Sequence, residues 1–397
     1  MSLQARPTRR ACTEPELEPL EVAGRLDRLR PLLADAGPEG RPVEGLLVTT
    51  PANIRWLTGF SGSAGLLLVT ARRALLTTDG RYRTQSSEQL AEAGVEADVE
   101  VRIGGVQAQR EALRQGGAGL TDLGLEAENV TWSGQRSWAE VLAPAIPVPT
   151  RGLVEGLRMV KDPGEVARMS RAATIADEAL AEVMPLLAGA GSGRRRSGAG
   201  ELTESGFASA LDHAMRELGA EDRAFETIVA SGENSAKPHA RPGGRPIRPG
   251  DPVVVDFGAV FDGYRSDMTR TFCVGGAPVG ELATVFHVVA ESQRIGVASL
   301  RPGVTAGAVD QACRDAIAAS GWAERFEHGT GHGVGLDIHE GPSVGPGSAA
   351  ILVPGTVVTV EPGVYLPGTG GVRIEDTLVI TEHGSRPLTR FPKEVAV

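Results

Sequence analysis

Apolar and polar positions change their spacing along the chain, and each change predicts a different kind of element. In the first part, short apolar runs such as GLLVT at 45–49 and GLLLVT at 65–70 alternate with stretches of helical spacing and turn-forming residues. This alternation is typical of an α/β layer. We therefore predict a smaller N-terminal α/β domain over residues 21–150, which ends near the proline-rich stretch PAIPVPTRG.

The spacing becomes helical again at 161–187, where Asp162 and Pro163 are typical of an N-cap and a first helical residue. A second helix is predicted at about 203–218. Runs rich in β-branched residues then predict two pairs of strands, at 252–260 with 266–274 and at 356–364 with 371–380. Helices at about 279–299 and 305–320 separate the pairs. Residues 151–397 thus form an α+β domain in which the order helix, helix, hairpin occurs twice.

Two segments lack apolar periodicity. Residues 1–20 are rich in Pro, Glu and Arg, which predicts a flexible N-terminal tail. The stretch GAGSGRRRSGAGE at 189–201 has low complexity, and we interpret it as a solvated loop rather than a nucleic-acid patch.

Composition narrows the class of partner. The 397 residues carry 40 Lys and Arg against 50 Asp and Glu, a formal net charge of -10. This argues against nucleic acid, because phosphate binding relies on clustered basic residues. The three cysteines show no paired spacing, and no apolar run resembles a membrane span or a signal peptide. We expect a cytoplasmic protein that binds neither nucleic acid nor membrane.

Four of the acidic residues in the C-terminal strands are candidates for chemistry: Asp256, Asp267, Glu361 and Glu375. Hairpins would bring the members of each pair together. A buried carboxylate needs a partner, and neighbouring carboxylates repel one another. Divalent cations remove this repulsion because a carboxylate can bridge two of them. The pattern therefore predicts a metal site.

An imidazole ligand is available in HGTGHGVGLDIHE at 328–340, where His332 lies between His328 and His339. Imidazole beside carboxylates favours manganese, cobalt or zinc, and the glycines of this segment let the backbone approach a site closely. A fourth histidine, His239, lies in KPHARPG. Taken singly, each acid could be an ordinary hydrogen-bonding residue and each flanking histidine a turn residue. The joint order of acid, acid, histidine loop, acid, acid favours metal binding.

The segments VDFGAVFDGYRSDMTRTF, HGTGHGVGLDIHE, VTVEPGVY and VRIED resemble, in this order, the metallopeptidase family with the pita-bread fold. That family contains Xaa-Pro aminopeptidases, prolidases and methionine aminopeptidases. The resemblance runs from about residue 155 to the end and implies a pita-bread (creatinase/aminopeptidase) fold with two divalent ions, manganese first among them. It implies the metal ligands Asp256, Asp267, His332, Glu361 and Glu375, with Asp267 and Glu375 bridging.

The same resemblance implies that a metal-activated water attacks the scissile carbonyl, with Glu361 as general base. His239, His328 and His339 match histidines that contact substrate or stabilise the intermediate. Arg373 matches an arginine that orients the carboxylates.

The N-terminal segments NIRWLTGFSGSAG at 53–65 and LLTTDGRYRTQ at 75–85 resemble the creatinase-type domain of Xaa-Pro aminopeptidases and prolidases. This favours a peptide substrate with proline at the second position, and a homodimer or homotetramer. Trp56, Arg81 and Tyr82 are candidates for contacts with the substrate end, against the alternative of ordinary packing and surface charge. Creatinase itself lacks the acid ligands and fits poorly.

The expected function is thus an Xaa-Pro aminopeptidase, with an Xaa-Pro dipeptidase (prolidase) as the main alternative. A hydrolase of a non-peptide amide, a non-catalytic binding protein of the same fold and a purely structural acid cluster are further alternatives. Intact ligands weigh against the binding protein, and a structural acid cluster would take up no metal and lose little activity in Asp267→Asn.

Overall fold

The computed structural model of the protein describes residues 17–192 and 201–397. Residues 1–16 of the predicted tail and 193–200 of the predicted loop lie outside the described residues. The remaining part of that tail is packed, which corrects the prediction for it: Arg168 donates a 2.8 Å hydrogen bond to the Glu18 carbonyl, and Leu20 packs against the core.

The N-terminal part is one six-stranded sheet with the order β4-β3-β2-β1-β5-β6. Strand β2 runs antiparallel to β1 and β3, and the other neighbours are parallel. Alternate residues face opposite sides, so Leu47 joins one apolar cluster and Leu46 the other. The predicted α/β layer is confirmed. The bounds are β1 Gly45–Val48, β2 Gly65–Thr70, β3 Ala74–Thr78, β4 Val99–Ile103, β5 Asp122–Glu126, β6 Ile146–Thr150, α1 Arg25–Leu29, α2 Pro51–Thr58, α3 Arg83–Glu92, α4 Val106–Gly116, α5 Trp132–Leu142 and α6 Leu153–Arg158.

The C-terminal part places a helix pair before a β-ladder twice, as predicted. Its helices are α7 Pro163–Gly191, α8 Glu204–Glu217, α9 Gly280–Ser299 and α10 Ala306–Ala319. The strands are β7 Asp222–Arg223, β8 Ile228–Ser231, β9 Pro252–Phe257, β10 Ala259–Phe261, β11 Tyr264–Arg265, β12 Met268–Cys273, β13 Gly331–Gly333, β14 Glu340–Val344, β15 Val357–Val360, β16 Gly363–Leu366, β17 Gly370–Arg373, β18 Asp376–Thr381 and β19 Gly384–Pro387.

These strands form ladders with the orders β12-β9-β8, β14-β13-β15-β18-β19, β11-β10-β7 and β16-β17. The edge strand β12 of the first ladder is bonded to the chain at the end of β17 and before β18: the Glu375 N–H donates to the Thr269 carbonyl (3.1 Å), and the Thr271 hydroxyl donates to the Arg373 carbonyl (2.7 Å). The two helix-and-strand halves therefore meet along β12 and the segment between β17 and β18.

Helix α7 begins where its sequence predicts. The Asp162 carboxylate accepts from the Glu165 N–H (2.8 Å), and the Glu165 carboxylate accepts from the Asp162 N–H (3.0 Å), a reciprocal capping box that satisfies two free helix donors. Pro163 follows as the first helical residue. The helix continues to Gly191, four residues past the predicted end at 187.

Two strands that the pattern predicts as continuous are interrupted beside the acids. The run 356–364 divides into β15 and β16, and the run 371–380 divides into β17 and β18. Because β15 and β18 belong to the five-stranded ladder while β16 and β17 pair with each other, the chain changes ladder at Glu361 and again at Glu375. Both glutamates therefore lie between strands, where the alternation of side chains along a strand does not fix their direction. Among the helices of the described ranges, none has the length and apolarity to cross a membrane.

Candidate metal centre

The four acids converge where the two main ladders meet. Asp256 lies in β9 opposite Thr269 of β12, and Asp267 precedes that strand by one residue. Val360 pairs with Asp376, so Glu361 and Glu375 continue the same register just beyond the paired residues. Each hairpin therefore presents two acids at one end, and the bond between Glu375 and Thr269 holds those ends together.

One imidazole joins the acids. Single ligand atoms of Asp267, His332 and Glu375 all lie within 4.8 Å of one another. The His332 Nε2 atom is 3.5 Å from Asp267 Oδ2 and 3.4 Å from Glu361 Oε1. The five residues predicted as ligands therefore lie near one another. Asp256 makes no short contact with His332, but it is close enough that its charge raises the pKa of Asp267 and Glu361.

Burial and mutual repulsion disfavour the charged forms of these acids. Loss of hydration raises the pKa of Asp267 well above its usual range, and the charges of Glu375, Asp256 and Glu361 raise it further. The pKa of Glu375 is raised for the same reasons. Burial raises the pKa of Glu361 to about 7, although the Arg373 charge opposes this. A cation in the cluster would remove the repulsion.

His332 is held in the form that binds metals. Its Nδ1 atom lies 3.0 Å from the Gly333 carbonyl, which can only accept, so Nδ1 carries the proton and Nε2 has a free lone pair. Burial lowers the pKa of His332 to about 4, which keeps the ring neutral near pH 7. The lone pair then faces the carboxyl oxygens of Asp267 and Glu361. Such a contact needs a positive charge between the groups, either a proton held by a carboxyl of raised pKa or a bound cation.

A buried oxygen without a partner points to the same conclusion. Asp256 accepts a 2.6 Å bond from Arg373 on Oδ2, but Oδ1 is buried and has no hydrogen-bond partner among the described residues. Buried polar atoms of this kind are rare and need an explanation such as an ion. The donor set of carboxylate oxygens and one neutral imidazole therefore fits divalent transition ions.

Two threonines hold the acids, and the sequence analysis did not identify them. The Thr269 hydroxyl donates to Glu375 (2.7 Å) and accepts from the Arg373 Nε (3.1 Å). The Thr359 hydroxyl accepts from the His332 N–H (3.0 Å) and contacts Glu361 (3.2 Å). Each threonine is two residues from a ligand. Because alternate strand residues share a face, this spacing was a signal that could have found them.

A chain of hydrogen bonds leads from Asp256 to His328. Arg373 donates to Asp256 and, at 2.9 Å, to the Tyr365 hydroxyl, which contacts His328 Nε2 at 2.9 Å. The His328 Nδ1 faces the Gly329 carbonyl (2.8 Å), so Nε2 accepts from Tyr365. Burial lowers the pKa of His328 to about 4, which keeps this ring neutral too.

The other two predicted histidines lie at the exposed rim. The His339 ring packs edge-on against His332, with centroids 4.3 Å apart. His239 is exposed in the loop before β9, near enough that its charge contributes to lowering the pKa of His328. The structure thus places both histidines near the site, as expected. Among the described residues, neither makes a short hydrogen bond or ion pair with an acid of the cluster.

The glycines of the histidine loop are required by close approach. A Cβ on Gly331 would lie 2.2 Å from the Thr359 carbonyl oxygen, and one on Gly333 would lie 2.1 Å from the Gly341 oxygen. Only glycine permits β13 to lie this near both neighbours.

The architecture and this site agree with known proteins. Residues 167–382 match the model of metallopeptidase family M24, and residues 25–160 match that of the creatinase/prolidase N-terminal domain. The chain belongs to metallopeptidase family M24.

Three relatives of this M24 member match at least 94% of its length. A Bacillus subtilis (strain 168) protein described as an uncharacterized peptidase is 40% identical over 373 residues, which cover 94% of this chain and 99% of that protein. The solved Xaa-Pro dipeptidase from Bacillus anthracis has a TM-score of 0.85 and 36% identity, with 95% of this chain and 100% of that chain covered. The X-Pro aminopeptidase from Thermotoga maritima MSB8 has a TM-score of 0.79 and 32% identity, with 94% and 100% covered. The fold expected from the sequence is confirmed.

The N-terminal residues that we predicted to contact substrate lie elsewhere in this M24 chain. Trp56 is 1% exposed, and its indole donates to Glu165 (3.1 Å), so it packs at the domain junction and cannot touch a substrate; that part of the prediction is wrong. Arg81 is exposed and pairs with Asp79 (2.7 Å), and the Tyr82 hydroxyl bonds Ser63 (2.7 Å). Among the described residues, no hydrogen bond or ion pair connects these two with the acids of the same chain, so their role stays a prediction.

Proposed function

We propose that this chain is a metal-dependent Xaa-Pro aminopeptidase, which releases the N-terminal residue from peptides with proline at the second position. The observation that carries the proposal is the cluster of buried carboxylates around a neutral imidazole whose lone pair faces them. Its placement in a chain of which 94% matches a solved X-Pro aminopeptidase supports the proline-directed reaction.

For the metal ligands we propose Asp256, Asp267, His332, Glu361 and Glu375. Four carboxylates can balance the charge of two divalent ions, and the imidazole favours transition ions over magnesium or calcium. Manganese is the ion that we expect, and cobalt or zinc would fit the same donors.

When bound, such a metal pair supplies a water of lowered pKa and stabilises negative charge on the carbonyl oxygen of the substrate. The protein then has to move a proton and hold the substrate. Glu361 suits the base, because its Oε1 lies in the cluster 3.4 Å from His332 Nε2 and accepts one side-chain hydrogen bond among the described residues, from Thr359. Arg373 holds Asp256 in place. His328, His339 and His239 are proposed to contact the substrate.

A second candidate is an Xaa-Pro dipeptidase. The observation that favours it is the likeness to the Bacillus anthracis structure of that name, which has the higher TM-score of the two structures compared above. Both activities use the same metal chemistry, and the room behind the proline decides between them.

Subunit arrangement and location complete the proposal. We expect a homodimer or homotetramer in the cytoplasm, in which Arg81 and Tyr82 contact the substrate end bound to a neighbouring subunit. The exposure of Arg81 and the position of both residues on the separate N-terminal domain support this arrangement.

The experiment measures hydrolysis of an Xaa-Pro dipeptide and of a matched Xaa-Pro-Yaa tripeptide. The protein is first stripped with a chelator and then restored with manganese, and an Xaa-Ala-Yaa tripeptide serves as the control. Metal-dependent cleavage of the Xaa-Pro-Yaa tripeptide supports the aminopeptidase. Cleavage of the dipeptide alone makes the protein a dipeptidase. If two metals bind and neither proline peptide is cut, proline specificity is abandoned.

A further inference from the structure

The loop that carries His239 is held by a buried acid outside the metal cluster. This loop, here called the His239 loop, spans residues 232–243 between β8 and β9, and no short side-chain bond of His239 itself is seen among the described residues. Its ends are nevertheless tied to one side chain, Glu204, near the start of α8. Glu204 is 1% exposed.

The two oxygens of Glu204 bind opposite ends of the loop. Oε1 accepts from the Ser231 N–H and hydroxyl (2.8 Å each) and from Asn234 Nδ2 (3.1 Å). Oε2 accepts from the Gly243 N–H at 3.1 Å. One carboxylate thus spans the base of the loop on both sides. Bonds to an ionised acceptor are stronger than neutral ones, so this brace restricts the loop more than an amide would.

The middle of the same loop touches the metal cluster. Arg373, which holds Asp256, also donates to the Pro238 carbonyl at 3.2 Å. Pro238 immediately precedes His239. Glu204 therefore braces the two ends of the loop, and Arg373 holds its middle at Pro238. His239 is the next residue after that contact.

We propose that Glu204 is a positioning residue that places His239 over the substrate site by bracing both ends of the His239 loop. The inference rests on the proposed function for its kinetic consequences, but its structural part does not. It predicts that removing one oxygen of Glu204 loosens one end of the loop and reduces activity only through His239.

The test variant is Glu204→Gln. The amide oxygen should remain with the three donors at Ser231 and Asn234, which leaves the amide NH2 facing the Gly243 N–H. Hydrogen exchange should therefore accelerate at Gly243 and through 237–243, while the Ser231 amide stays protected. Glu233→Gln, an exposed acid in the same loop, is the matched control and should change neither exchange nor activity by more than about twofold.

Kinetics and metal content provide the second readout. Glu204→Gln should lower kcat/KM for the cleaved proline peptide by about tenfold to a hundredfold, since a small misplacement of a substrate group has effects of this size. Metal content should stay near that of the wild type, and the melting temperature should fall by only a few degrees, because one buried donor loses its acceptor. In a double-mutant cycle, Glu204→Gln combined with His239→Ala should be no slower than His239→Ala alone.

Additive losses in that cycle overturn the proposal, as does exchange at Gly243 that does not change. If Glu204→Gln fails to fold, Asn234→Ala, which removes a half-buried donor to the same carboxylate, enters the same cycle, and an additive loss there has the same meaning. If the wild type cuts no proline peptide, the proposed function fails, whereas the exchange experiment still decides whether Glu204 braces the loop.

Discussion

Two regions of this molecule bury carboxylates, but they differ in how many hydrogen-bond donors they supply to each one. In the N-terminal sheet, Glu126 is 7% exposed, and its oxygens accept from the N–H and hydroxyl groups of Thr49 and Thr50 and from Asn53 Nδ2, at 2.6–2.9 Å. This carboxylate has five donors and needs no cation. It ties the end of β1 and the start of α2 to β5.

The C-terminal cluster gathers four carboxylates around far fewer donors. Among the described residues, three of these carboxylates accept one side-chain hydrogen bond each. The donors are Thr269 for Glu375, Thr359 for Glu361 and Arg373 for Asp256. The comparison teaches that burial of an acid does not by itself mark a functional site. What distinguishes the two regions is whether the protein supplies enough donors for the charge it buries.

The largest expected difference between the regions is in turnover. Glu361→Gln should lower kcat on the proline peptide about 10²–10⁴-fold, the usual contribution of a general base, while the fold is kept. The matched variant Glu126→Gln removes a charge of the same kind from a buried site that contacts no proposed ligand, and its folded fraction should keep a near-normal kcat. Steady-state kinetics on both variants, corrected for folded protein, makes the comparison; full activity in Glu361→Gln contradicts the assignment.

Metal content gives the next largest difference. His332→Ala removes the only nitrogen donor of the proposed ligand set, so it should retain one metal ion per chain where the wild type retains two, as measured by elemental analysis after dialysis. His287→Ala, at an exposed position on α9, is the control and should bind metal normally. Retention of two ions by His332→Ala would remove this residue from the ligand set.

Stability should change in opposite directions in the two regions. Glu126→Gln should lower the free energy of unfolding by about 1.5–3 kcal/mol, because an amide cannot accept from all five donors. In the metal-free protein at pH 8, Glu375→Gln should raise the free energy of unfolding by about 1 kcal/mol. Burial and repulsion raise the pKa of the Glu375 carboxyl and so make its charged form unfavourable, and a neutral amide removes this cost. Urea unfolding after chelation measures the free energy of unfolding of both variants. Changes of the same sign would contradict the predicted difference between the two regions.

The smallest predicted effect is a pH dependence of the metal-free protein. The pKa of Glu361 is raised by burial from 4.5 to about 7, so the folded state binds this proton more tightly than the unfolded state. The resulting stability is present below pH 4.5 and is lost as the pH rises through about 7. We therefore expect the free energy of unfolding to fall between pH 5 and pH 8 after chelation, and the slope to weaken in Glu361→Gln.

Saturating manganese should flatten or reverse that slope, because the ion takes the place of the protons and binds better as they leave. Urea titrations at four pH values with and without manganese provide the measurement. A slope that is the same in both conditions argues against cation binding at these acids.

Much of the fold was accessible from the sequence. The helix at 163–191 and the strands that contain Asp256 and follow Asp267 occur where the apolar spacing predicts them, since buried faces impose that spacing directly. The convergence of four acids and His332 was also predicted, because separate hairpins each carried an otherwise unexplained acid pair.

Other features depended on contacts between distant segments. Trp56 resembled a substrate contact, yet its indole is enclosed between Arg25 and Glu165. Thr269 and Thr359 carry no distinctive motif, and their importance follows only from the ligands beside them. The change of ladder at Glu361 coincides with Pro362 and Gly363, which interrupt the β-branched run, but the local pattern does not tell which ladder the chain joins next.

The order of elements, the acid-rich strands and the chemistry of their ligands thus follow from the amino-acid sequence, because local spacing and side-chain type carry that information. Which buried acids find hydrogen-bond donors, and which do not, depends instead on the three-dimensional fold. Glu126 and Glu375 both end or follow apolar stretches, and nothing local separates them. The difference arises because hydrogen bonding and charge repulsion depend on neighbours that are far apart in the chain and close in space.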